Sequence, residues 1–155
     1  MTKSKGWHNR ATEVKKGKSA NRNAAERYVF NQLKKDGRKP GWAQTGKGYD
    51  IFTRNMRIEV KGRKQRALPP NFISLSHNMF RLGKDLDKFW LYVVLGMGVK
   101  GKWKTVIKIP AKELLPRLSF HTQLVVSNKQ LRAIAKKQGI KVPSRSERED
   151  DEVLD

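Results

Sequence analysis

Two carboxylates and one ammonium group lie close together in the segment Gly-Tyr-Asp-Ile-Phe-Thr-Arg-Asn-Met-Arg-Ile-Glu-Val-Lys-Gly, residues 48–62. Asp50 begins a short apolar run, and farther along Glu59 and Lys61 alternate with Ile58 and Val60. Alternation with period two is typical of a β-strand, whose successive side chains point to opposite faces. The segment therefore predicts two short strands joined by a tight polar turn, with Glu59 and Lys61 on one face of the second strand.

An antiparallel return would bring Asp50 beside the end of the second strand. Mg²⁺ prefers oxygen ligands, so Asp50, Glu59 and the backbone carbonyl of Val60 are candidates to bind it against a phosphate. Lys61 could then orient or deprotonate an attacking water and stabilise developing charge. Together these groups suit the hydrolysis of a phosphodiester. The alternative from the hairpin alone is a salt-bridged structure with a solvated face.

The charge of the chain favours a polyanionic partner. Its 155 residues include 35 Lys and Arg against 14 Asp and Glu, which gives a formal net charge of +21. A field of this size attracts nucleic acid without regard to its sequence. Six of the acidic residues lie in the last nine positions, so the rest of the chain is more basic still; they are Glu147, Glu149, Asp150, Asp151, Glu152 and Asp155.

Composition also excludes several classes of protein. The chain has no Cys, which excludes disulfides and the cysteine ligands of zinc fingers. No apolar run is long enough to cross a membrane, and the basic amino terminus lacks the apolar core of a signal peptide. We therefore expect an intracellular protein, cytoplasmic or nucleoid-associated, without a membrane partner.

Three regions are expected along the chain. Residues 1–18 are rich in Lys and Arg and predict a flexible basic arm, whereas residues 143–155 predict an acidic, disordered tail. The apolar residues concentrate between them, so residues 19–142 are expected to form one folded domain.

Helical and strand patterns alternate within that domain and predict an α/β fold. A helix is expected from Ala24, capped by Asn21 or Asn23 and ended by Gly37. Further elements are predicted as strands at 42–45, 72–76, 89–95 and 103–109, helices at 77–88 and 110–118, and a last helix from 127 or 128 to 138. The run Phe-Trp-Leu-Tyr-Val-Val-Leu at 89–95 is continuously apolar, which is typical of a central strand covered on both faces.

This order of elements resembles the core of the PD-(D/E)XK nuclease superfamily. The resemblance rests on Glu26 in the first helix, Asp50 on the next strand and Glu59-Val60-Lys61 on the strand after it. The resemblance covers about half of the chain. The chain is similar to an uncharacterised nuclease-like branch of the superfamily, and archaeal Holliday-junction resolvases share the same core order. Tyr49 stands where the superfamily's name has Pro.

The resemblance implies a restriction-endonuclease-like fold, with a central mixed sheet flanked by helices, and a Mg²⁺-dependent deoxyribonuclease in which Mn²⁺ can substitute. Cutting would be structure-directed or weakly sequence-specific, and a resolvase-like activity would require a homodimer. Glu26 would contribute from its helix to a second metal or a water, although a Glu there also complements the helix dipole. The basic residues that flank the acids are candidates to contact phosphates or, equally, ordinary surface residues; they are Lys47, Arg63, Lys64 and Arg66.

Two other functions remain open from the sequence. A non-catalytic, basic nucleic-acid-binding protein could use the same fold as a scaffold. A ribosome-associated protein would explain the charge but not the grouping of Asp50, Glu59 and Lys61 at one hairpin.

Overall fold

A five-stranded mixed sheet forms the centre of the computed structural model, which describes residues 22–68, 73–99, 104–120 and 124–143. Its strands lie in the order β1-β2-β3-β5-β6, and only β3 and β5 run parallel. These strands are β1 (Gly41–Trp42), β2 (Ile51–Phe52), β3 (Arg57–Gly62), β5 (Phe89–Leu95) and β6 (Thr105–Pro110). The predicted α/β fold with a mixed central sheet flanked by helices is confirmed.

Helix α1 (Ala24–Lys35) covers one face of this sheet. The side chain of Asn23 accepts a hydrogen bond from the Glu26 backbone N–H at 2.9 Å, which caps the helix as predicted. The helix is followed by Gly37 at a positive φ of 73°, a conformation that glycine adopts without a steric penalty. Its buried apolar side chains pack against β3, β5 and the start of β2; they are Ala25, Val29 and Leu33.

The opposite face of the sheet packs against a second layer. This layer contains a small antiparallel sheet in the order β4-β8-β7, formed by β4 (Ile73–Leu75), β7 (Ser119–Phe120) and β8 (Leu124–Val126). Helices α2 (Ala111–Leu114) and α3 (Asn128–Lys137) join it. Side chains of β5 alternate between the two layers, with Leu91 and Val93 on this side and Tyr92 and Val94 toward α1. The prediction that β5 is central and doubly covered is confirmed.

The segment predicted as a helix at 77–88 is a 3₁₀ segment over His77–Lys88 with a break inside it. Gly83 has φ 51° and ψ −120°, which no helix contains, so the segment consists of separate turns. Ser76 caps its start as expected, and Met79 is its buried anchor. Helix 110–118 is likewise shorter than predicted, because α2 passes into a 3₁₀ turn at Leu115–Arg117.

The predicted arm at 1–18 lies outside the described residues, as does the predicted acidic tail beyond Pro143. Within the part of the chain that the structure describes, no helix has the length and apolar character needed to cross a membrane.

Candidate active site

The register of the hairpin places Asp50 beside Glu59. Ile51 of β2 faces Ile58 of β3, so the residue before the first and the residue after the second are neighbours. Hydrogen bonds to β3 hold both the backbone and the side chain of Asp50 in place. Its backbone N–H donates to the carbonyl of Ile58 at 2.9 Å, and its side-chain Oδ2 accepts from the backbone N–H of Val60 at 2.8 Å.

Glu59 and Lys61 project together from β3. Ile58 and Val60 are packed in the core beneath α1, so the alternate residues Glu59 and Lys61 leave the strand on its other face. The Nζ of Lys61 lies 2.7 Å from Oε1 of Glu59, and Glu59 is only 7% exposed. Burial raises the pKa of the Glu59 carboxyl to about 7, with the nearby charge of Asp50 adding to the effect. The alternative of a fully solvated hairpin face is therefore wrong for Glu59.

Glu26 approaches the same end of the sheet from α1. The helix lies directly against the end of β3, because a Cβ on Gly62 would be 2.6 Å from the Cβ of Ala25. Glu26 is 9% exposed, and its Oε2 is buried without a hydrogen-bond partner among the described residues. Burial, and after it the charge of Asp50, raises the pKa of the Glu26 carboxyl. Asp50 thus interacts electrostatically with each of the two glutamates.

Arg22 is a member of this group that the sequence reasoning missed. Its Nη1 lies 3.5 Å from Oε2 of Glu26 and 3.8 Å from Oδ1 of Asp50. The spacing of Arg22 and Glu26 by four residues is a helical ion-pair pattern and was the available signal. No sequence pattern links Arg22 to Asp50, since that contact depends on how α1 packs on the hairpin.

The donor set suits a hard divalent cation. Carboxylate oxygens are the ligands that Mg²⁺ prefers, and the buried Oε2 of Glu26 accepts no hydrogen bond from any residue that the structure describes. Among the described residues, however, no three His, Cys, Asp or Glu side chains stand close enough to form a ready metal cluster. Cationic side chains already pair with these acids, Lys61 with Glu59 and Arg22 with Glu26 and Asp50. The backbone contact seen at Val60 is made by its N–H, and the role of its carbonyl as a ligand stays a prediction.

Three of the four residues predicted to contact phosphate lie on the segment that follows β3. Arg63 and Lys64 are held by backbone hydrogen bonds to the turn after β5, where the N–H groups of Met97 and Gly98 donate to their carbonyls at 2.9 and 2.8 Å. Lys64 is exposed, while Arg63 and Arg66 are half-buried. This segment is the basic strand extension (residues 63–66), and it lies at the end of β3 that carries Lys61.

The fourth predicted contact, Lys47, is exposed on the loop that precedes β2. The loop passes close to the 3₁₀ segment, because a Cβ on Gly48 would lie 2.4 Å from the backbone of Asn78. Gly48 also has a φ of 82°, so both space and conformation require glycine there. Phosphate contact by Lys47 and the basic strand extension stays a prediction.

Comparison with known proteins places this chain in a family. Residues 21–106 match the family described as Protein NO VEIN, C-terminal. The chain belongs to this family. The match runs from just before α1 into β6 and so includes Glu26, the hairpin and the basic strand extension.

Among solved structures, the fold is similar to that of Hjc, a Holliday junction resolvase from the archaeal hyperthermophile Archaeoglobus fulgidus. The sequence identity is 20% and the TM-score 0.46, over 77% of this chain and 96% of that chain. No curated protein matches the sequence.

Proposed function

We propose that this member of the NO VEIN C-terminal family is a metal-dependent endonuclease of the PD-(D/E)XK type that hydrolyses phosphodiester bonds in DNA. The observation that carries the proposal is the convergence of Asp50, Glu59 and Lys61 at the end of the β2–β3 hairpin, with Glu59 buried. Burying a carboxylate costs free energy unless a partner compensates it. A hairpin that served only as structure would avoid that cost with a neutral residue at position 59.

Each residue would have a definite role. Asp50 and Glu59 would hold Mg²⁺, or Mn²⁺ in its place, with the Val60 carbonyl as a further ligand and Glu26 contributing from α1. When bound, the ion would neutralise phosphate charge and lower the pKa of water. Lys61, which is less buried than Glu59, would orient or deprotonate the attacking water and stabilise charge that develops on the phosphate.

DNA is the proposed substrate, cut by structure or with weak sequence preference. The net charge of +21 supplies binding that does not depend on sequence. The basic strand extension lies at the same end of β3 as Lys61, so phosphates bound there would lie near the acids. Lys47, on the loop before Asp50, would extend this contact from the other side of the hairpin.

The test is a cleavage assay on supercoiled, linear, single-stranded and branched DNA with Mg²⁺, Mn²⁺ or EDTA. We expect Asp50→Ala and Glu59→Ala to abolish metal-dependent cleavage and to leave DNA binding equal or tighter, because each removes a negative charge that repels phosphate. Lys61→Ala should reduce turnover by about 10²–10⁴-fold, the usual effect of losing an acid–base or electrostatic group. Lys136→Ala, at an exposed position on α3, is the matched control for Lys61→Ala.

A non-catalytic nucleic-acid-binding protein is the second candidate. The ion pairs already present at the acids favour it, since Lys61 and Arg22 neutralise them without a metal. In that case all three hairpin variants would bind DNA and none of the proteins, including the parent, would cut it. Cleavage that is equally fast in the parent and in all three variants would exclude this hairpin as the active site.

A further inference from the structure

Arg22 lies beside two of the three predicted acids, Glu26 and Asp50. Its guanidinium is 3.5 Å from Glu26 and 3.8 Å from Asp50, and the three side chains are only 11–21% exposed. Glu26 and Asp50 are on different elements, so Arg22 joins the helix to the hairpin through charge. A guanidinium and a divalent cation cannot both occupy the space between the same carboxylate oxygens.

The position of Arg22 is fixed by several contacts besides the acids. Its Nη2 donates to the carbonyl of Ala43, and its guanidinium lies over the ring of Trp42, 5.2 Å from the centroid. Trp42 in turn stacks on Phe30 of α1, with ring centroids 4.1 Å apart and planes at 10°. The arginine thus has a second set of partners, an aromatic face and a carbonyl, that do not include a carboxylate. It can release the acids without losing all of its interactions.

We propose that Arg22 is a built-in counter-cation that competes with the divalent metal for Glu26 and Asp50. This inference rests on the proposed function, because it assumes that these acids take part in metal binding. In the metal-free protein Arg22 offsets the repulsion between the carboxylates and keeps α1 on the hairpin. Metal binding has to displace its guanidinium, so Arg22 weakens metal affinity and stabilises the protein when metal is absent.

The experiment measures binding of Mn²⁺ alone by isothermal titration calorimetry, with no DNA present. Arg22→Gln should bind Mn²⁺ about tenfold more tightly than the parent, since a neighbouring Arg lowers the affinity of a carboxylate for a proton by at least that factor. Lys35→Gln is the control, because Lys35 is an exposed cation of the same helix that lies in its last turn, at the other end from Glu26. It should change the affinity by less than about twofold.

Thermal unfolding measures the effect of Arg22 on stability with and without metal, which an activity assay cannot do. In EDTA the Arg22→Gln variant should unfold at a lower temperature than the parent, and saturating Mn²⁺ should raise its Tm by more than it raises the parent's. Equal or weaker Mn²⁺ binding by Arg22→Gln would overturn the competition, as would equal tightening by Lys35→Gln.

A measurement on the unchanged protein does not depend on the variant folding. The Nε–Hε NMR signal of Arg22 should shift as Mg²⁺ is added, and a signal unmoved at saturating Mg²⁺ would overturn the proposal. If the parent binds Mn²⁺ and cuts DNA but Arg22→Gln behaves like the parent, only the role of Arg22 fails. If neither protein binds Mn²⁺, the metal-dependent function fails and the competition with it.

Discussion

At the scale of single residues, burial sets Glu59 apart from a surface glutamate. Its carboxylate faces the charge of Asp50 in a space where water is mostly excluded, and the single ammonium of Lys61 does not compensate fully. The pKa of Glu59 is therefore raised from its ordinary value of 4.5 to about 7. A raised pKa of an acid means that its ionised form opposes folding.

This shift predicts how stability depends on pH in the metal-free protein. Between about pH 4.5 and 7 the folded state holds the Glu59 proton and the unfolded state has lost it, so stability falls as pH rises through this range. Glu59→Gln removes the titration. The free energy of unfolding of the variant relative to the parent should therefore be larger at pH 8 than at pH 5.

Urea unfolding in EDTA at the two pH values measures this difference. Asp87→Asn, a change at an exposed acid on the 3₁₀ segment, is the control and should give the same difference at both. The same relative stability of Glu59→Gln at pH 5 and pH 8 would show that Glu59 titrates normally.

At the scale of elements, the site depends on close packing between α1 and β3. Gly62 and Ala25 meet there with no room for another methyl group. The two residues lie beside Lys61 and Glu26, so any displacement of the helix also moves a carboxylate away from Asp50.

A double-mutant cycle tests this packing. Gly62→Ala would place its Cβ 2.6 Å from that of Ala25, so we expect a loss of about 1–3 kcal/mol in the free energy of unfolding, the usual cost of overpacking. Ala25→Gly should cost about 1 kcal/mol through helix propensity. The double variant should lose less free energy of unfolding than the two single variants lose together, because removing one methyl group makes room for the other. Additive losses, measured by chemical unfolding, would contradict a direct contact.

Local patterns predicted the elements of the site better than the contacts between them. Asn23 as a cap, the alternation at 58–61 and the apolar run at 89–95 each act within one element, and each is confirmed. The strand predicted at 72–76 is β4, but its partners β7 and β8 were not predicted, since they are two and three residues long and the pairing of β4 with β8 joins distant parts of the chain. Arg22 was missed for the same reason. Its contact with Asp50 spans two elements and leaves no periodic trace in the sequence.

At the scale of the whole molecule, the excess positive charge attracts polyanions without regard to their sequence. A few cations in fixed positions would direct a bound DNA to the acids. Arg63 and Lys64 are candidates for this role because their backbone is bonded to the turn after β5. Lys136 and Lys137 carry the same charge and are exposed, but they lie in the last turn of α3, a helix whose buried apolar side chains pack in the second layer.

These two pairs allow a comparison at constant net charge. Affinity for a short DNA duplex should fall linearly with salt on logarithmic axes, with a slope of about −0.9 for each phosphate neutralised. Arg63→Gln with Lys64→Gln should make that slope shallower by about 1.8, because two phosphate contacts are lost together. Lys136→Gln with Lys137→Gln removes the same charge and should leave the slope nearly unchanged. Fluorescence anisotropy in EDTA measures binding without cleavage. Equal slopes for both double variants would mean that the basic strand extension does not direct DNA to the acids and that binding is spread over the whole surface.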